Sequence, residues 1–62
     1  MSSSNDLIQF FVVRLDADLR EAWEERAAIV EFDGGLTREW AECLALLEVI
    51  RNHPARVLKS LL

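Results

Sequence analysis

Three places in this chain carry residue types that could do chemistry. The first is Asp16-Ala-Asp18, which begins like a calcium loop. A third oxygen ligand belongs two residues further on, but Arg20 stands there and no glutamate follows at the closing position. Helix capping is the better reading of these two carboxylates. The second place is Asp33-Gly34-Gly35. A phosphate loop needs lysine and a hydroxyl residue in register after its glycines, and Leu36-Thr37-Arg38 does not supply them. The pattern reads as a turn. The third is the pair Cys43 and His53, the one cysteine and one histidine of the chain. A thiol activated by imidazole needs the two within hydrogen-bond reach. Ten residues of helix would hold them roughly 15 Å apart.

Composition narrows the field further. With 62 residues there is room for one small domain, whose core is modest and usually needs a staple or a partner. A single cysteine cannot form an internal disulfide, and with a single histidine it cannot complete a structural zinc site. Hydrophobic residues make up 52% of the chain, too many for a disordered tail. The expectation is therefore a chain that is not an enzyme, with no catalytic residue, no cofactor and no metal. Residues 1–5 read as a flexible leader and 6–62 as one small helical domain. The leader has no positive n-region, and the apolar run Leu7–Val13 stops at Arg14, so no signal peptide is expected; the longest uncharged stretch of the second half, Cys43–Leu47, is far too short to span a membrane. A cytoplasmic location with Cys43 reduced follows from the same reading.

The net charge of −4 is unevenly spread. Asp16, Asp18, Glu21, Glu24, Glu25, Glu31 and Asp33 face only Arg20 and Arg26, whereas Arg51, Arg56 and Lys59 close the chain without an acid. An acidic middle opposes contact with a phosphate backbone. It fits a solvated helix face, or an acidic surface that mimics nucleic acid.

Helical spacing dominates the centre of the chain. Leu19, Ala22, Trp23, Arg26, Ile29 and Val30 recur every three or four residues. Asp18 with Glu21 forms a capping pattern, which predicts a helix starting near 18. Gly34-Gly35 predicts its end, with positive φ at one glycine or both. Thr37 predicts the cap of a second helix whose inner face is Leu36, Trp40, Cys43, Leu44, Leu47 and Ile50, with Ala45, Leu46 and Val49 on the other side. So short a connection implies an antiparallel helical hairpin over about 18–52. Proline at 54 predicts a break at His53 and a short C-terminal helix carrying Val57, Leu58, Leu61 and Leu62. The fold class expected is mainly α.

Residues 7–15 admit two readings. As a helix, Ile8, Phe11, Val12 and Leu15 extend the first stripe into one rod over about 6–32. As a strand, Phe11, Val13 and Leu15 face inward and Phe10, Val12 and Arg14 outward. The β-branched and aromatic content favours the strand, which would need a partner strand from a second chain.

Glu25-Arg-Ala-Ala-Ile-Val-Glu-Phe-Asp-Gly-Gly-Leu-Thr-Arg38, followed by Ala41-Glu42, resembles a segment of uncharacterised bacterial proteins of plasmids, phages and replication neighbourhoods. The resemblance implies a small interaction module of a mobile or accessory element. Val13-Arg-Leu-Asp-Ala-Asp-Leu19 and Gly35-Leu-Thr-Arg38 are similar to the strand-to-helix entry and the helix–helix turn of ribbon-helix-helix regulators and antitoxins. That likeness implies a dimer whose paired strands enter the DNA major groove, with Phe10, Val12 and Arg14 as the contacts. Two of those three side chains have no hydrogen-bonding group with which to read a base.

The function expected is a homodimeric protein-interaction module, with a ribbon-helix-helix-like DNA-binding regulator as the alternative. Its partners would be a second copy and an unidentified protein; a membrane is not expected and nucleic acid is not favoured. The candidate interface residues are Trp23, Arg26, Val30, Trp40, Leu46 and Val49. Among them Arg26 has two roles open. Its stem can cover the core with the guanidinium in water, or it can sit in an interface, stacked on tryptophan or paired with Asp33 or a carboxylate across the dimer.

Overall fold

The computed structural model describes residues 4–62, which form four helices: α1 Ser4–Val12, α2 Ala17–Gly34, α3 Arg38–Asn52 and α4 Pro54–Leu61. The mainly α expectation holds. Residues 1–3 of the expected leader lie outside the described residues, and its last two open α1.

Residues 7–12, read above as favouring a strand, are helical. Helical spacing puts Ile8 and Val12 on one face, and both are buried together with Leu15 in the following turn. A lone strand would leave its backbone donors and acceptors without a ladder, whereas a helix satisfies them within the segment. The rod over 6–32 is not formed either. The chain turns at residues 13–16 through short-range bonds from Arg14 N–H to Phe11 O and from Leu15 N–H to Val12 O, both 3.1 Å. Asp16 is then extended, at φ −66° and ψ 167°. Leu15 and Leu19 flank this kink and are both buried, so the apolar stripe continues while the helix does not.

The cap of α2 also differs from expectation. Asp16, not Asp18, is the N-cap, with its Oδ1 accepting the Leu19 N–H at 2.9 Å. Arg56 of α4 donates from Nη2 to both Asp16 oxygens at 3.2 Å, which ties the last helix to the start of the second. The Leu19 amide, followed by Arg56, holds the Asp16 carboxyl below its ordinary pKa of 3.8. A depressed carboxyl pKa stabilises the fold fully above the unfolded value and loses that contribution as pH falls through the folded one. The urea midpoint should therefore drop on acidification below about pH 4. In Asp16→Asn that acid limb should be shallower. Parallel acid limbs in the two proteins would remove Asp16 from the account.

At the other end of α2 the left-handed residue is Gly35, at φ 64°, as the glycine pair implied. Thr37 caps α3 as expected, its hydroxyl accepting the Trp40 N–H at 3.3 Å. Helices α2 and α3 share the largest interface, and α1 and α4 pack on α3. Arg38 at the start of α3 reaches Glu31 late in α2, and Glu48 late in α3 reaches Arg26 in mid-α2. Pro54 stands at the first turn of α4, where its missing N–H costs nothing. Val57 is buried, and Leu61 packs at the edge of the core.

The core is built from Ile8, Val12, Leu15, Leu19, Trp23, Ala27, Ala45, Leu46, Val49 and Val57. On α3 the inward residues are Ala41, Glu42, Ala45, Leu46 and Val49. This partly reverses the expected orientation: of that face Cys43 and Ile50 pack against the core, but Leu36, Trp40, Leu44 and Leu47 are exposed. Side-chain size explains the reversal. Ala27, Ala41 and Ala45 are fully buried, and small residues let two helices approach closely.

Candidate interaction surface

Because α3 turns its alanines inward, it turns Trp40, Leu44 and Leu47 outward, and Leu36 is exposed in the turn before it. Trp40 is 64% exposed and Leu47 57%, with Leu36 and Leu44 less so. Spacings of four and three residues keep Trp40, Leu44 and Leu47 on one helix face. A tryptophan and two leucines on one helix face form a clustered apolar patch rather than scattered surface leucines. Beside them, Val30 of α2 joins Leu44, Leu47, Glu48 and Arg51 around a shallow cleft of about 270 Å³.

Ion pairs frame the patch. Arg26 Nη2 donates to Glu48 Oε1 at 2.9 Å, and Arg51 Nη2 stands 3.9 Å from the same oxygen. Arg26 thus pairs with a carboxylate of its own chain, Glu48 rather than Asp33. Both side chains are partly in water, so the pair fixes the α2–α3 alignment more than it adds stability. At the turn, Arg38 donates from Nε to Glu42 Oε2 at 3.1 Å and from Nη1 to Glu31 Oε1 at 3.2 Å. The Glu42 carboxylate, and then that of Glu31, raise the Arg38 pKa above its ordinary value. Glu42, buried on the inner face of α3, is satisfied in this way.

The six candidate interface residues divide. Trp40 and Arg26 are exposed and Val30 is half-buried, all within or beside the patch. Trp23, Leu46 and Val49 are core residues, unavailable to a partner because α1, α2 and α3 enclose them. Trp23 also donates its indole N–H to the Glu42 carbonyl at 3.0 Å, a second reason for its inward orientation. The three residues of the DNA-reading alternative do not form a strand face. Val12 is buried in the core, and the Arg14 guanidinium lies 3.7 Å from the centre of the Phe10 ring while donating to Phe10 O at 2.7 Å. The ribbon that this alternative requires is replaced by α1.

Sequence reasoning missed Leu36, Leu44 and Leu47 as surface residues. The signal available was the Ala41-x-x-x-Ala45 pair, which marks the close-packing side of α3. It also gave no role to Phe32, which is 88% exposed at the end of α2. Asp18, Glu21, Glu24 and Glu25 lie along the water-facing side of α2, as the charge pattern implied. Cys43 is half-buried against the core and His53 joins α3 to α4.

Among the described residues no three His, Cys, Asp or Glu side chains converge as metal ligands, and no helix is long and apolar enough to cross a membrane. Compared with protein-family models, with curated proteins and with solved structures, the chain matches none.

Proposed function

We propose that this chain is a non-enzymatic protein-interaction module, built on an antiparallel hairpin of α2 and α3 and acting as a homodimer. The observation that carries the reading is the outward face of α3, where Trp40, Leu44 and Leu47 are exposed, with Leu36 exposed in the turn before it. Exposing a tryptophan and two leucines on one helix costs free energy that a covering surface recovers, at about 25 cal/mol per Å² of apolar area buried. A small domain gains proportionally more from such cover than a large one. A closed two-fold dimer is the commonest way for a single surface patch to be covered by its own kind. The resemblance of residues 25–42 to a segment of bacterial mobile-element proteins suits an accessory role in the bacterial cytoplasm, and a further protein partner would then be recognised by the assembled dimer.

Sedimentation equilibrium across the micromolar range tests this directly. The expected result is a single species of twice the chain mass of 7.1 kDa. A monomer that persists to hundreds of micromolar would overturn the proposal.

A further inference from the structure

The homodimer reading leaves open how the two copies meet, and the order of residues along α3 answers that. Trp40, Leu44, Leu47 and Arg51 follow one another at spacings of four, three and four, the pattern of a helix–helix seam. We propose that two copies pair through α3 in antiparallel orientation, with Trp40 of each copy stacked against Arg51 of the other. The inference rests on the homodimer reading and specifies its geometry.

The seam is self-complementary only in that orientation. A two-fold axis between Leu44 and Leu47 brings Leu44 of one copy to Leu47 of the other, and Trp40 to Arg51. Both ends of the seam then place a cation on the negative face of an indole. Parallel pairing would instead set Arg51 on Arg51, like charges facing each other in an apolar seam. The antiparallel arrangement also opposes the two helix dipoles.

Two features of the monomer fit this pairing. The cleft of about 270 Å³ lined by Val30, Leu44, Leu47, Glu48 and Arg51 surrounds the position where Trp40 of the second copy would insert as a knob. Arg51 is also loosely held. Its side chain is 75% exposed, and the Glu48 oxygen it approaches at 3.9 Å is already taken by Arg26 at 2.9 Å. Its guanidinium can therefore swing onto an indole without breaking a close ion pair.

The test is a double-mutant cycle on the full chain, read by sedimentation equilibrium. Arg51→Ala should raise the dimer Kd by about 5- to 20-fold, Trp40→Ala by more because it also empties the cleft, and the double variant by little more than Trp40→Ala alone. Leu47→Glu should raise the Kd more than 100-fold while circular dichroism stays helical, because it puts charge into the middle of the seam. Arg20→Ala, on the water-facing side of α2, should leave the Kd unchanged. A wild-type monomer would overturn both the dimer and its geometry. A wild-type dimer whose Kd ignores Leu47→Glu would overturn this seam and leave the homodimer standing. Strictly additive effects of Trp40→Ala and Arg51→Ala would overturn the stacking.

Discussion

Trp23→Ala should leave most of the chain unfolded at room temperature. Trp23 is 5% exposed and belongs to a core drawn from all four helices, and truncating a buried tryptophan costs about 3–5 kcal/mol. At roughly 0.05–0.15 kcal/mol per residue, a chain of this length has about 3–9 kcal/mol to lose. Trp23→Phe separates the two contributions of the indole. The ring of phenylalanine fills most of the space, while the bond to the Glu42 carbonyl is lost. That carbonyl keeps its place in the α3 ladder, so the cost should be about 1–2 kcal/mol. Helical circular dichroism against urea, at fixed protein concentration, reads both variants. Equal stability of Trp23→Ala and the parent would mean that Trp23 is not in the core.

The turn supplies the second large effect. Gly35→Ala should destabilise by about 1 kcal/mol or more, because a β-carbon is strained at the φ of 64°. Space is not the obstacle, since nothing stands within 4 Å of where that carbon would be. Gly34 is the control. It is helical, and a β-carbon there would meet only the Leu36 side chain at 3.5 Å, an ordinary contact. Gly34→Ala should therefore be neutral or slightly stabilising, because alanine has the higher helix propensity. If the two variants shift the urea midpoint equally, Gly35 is not what ends α2.

These effects divide along the line between what was and was not legible in the sequence. The Gly35 turn, the Thr37 cap and the Pro54 start of α4 are each set by one residue's own backbone or side-chain chemistry, and all three read correctly. The N-cap of α2 did not. Asp16 and Asp18 both offer a capping carboxylate, and only Asp18 has a glutamate three residues on. The decision came from Leu15 and Leu19, which both reach the core when the chain kinks at Asp16. Residues 7–15, of which 7–12 are helical, follow the same logic. Their β-branched and aromatic side chains suit a strand, but among the described residues there is no strand to pair with, and Ile8 and Val12 bury well as a helix face. The inner face of α3 was the largest misreading. Periodicity finds two apolar stripes on that helix, and hydrophobicity alone ranks the leucines above the alanines. Packing distance ranks them the other way. The same inversion moved Leu46 and Val49 from the interface to the core, and left Trp40 with Leu44 and Leu47 on the surface.

The central claim is that a second copy covers the outer face of α3, and the most direct measurement is an isotope-filtered NOE experiment on a mixture of labelled and unlabelled chain. The account predicts intermolecular cross-peaks between the Leu44 and Leu47 methyl groups, and between the Trp40 indole and the Arg51 methylenes. Intermolecular cross-peaks confined to other exposed apolar residues, such as Leu7, Phe10 or Phe32, would contradict it, as would the absence of any at millimolar concentration.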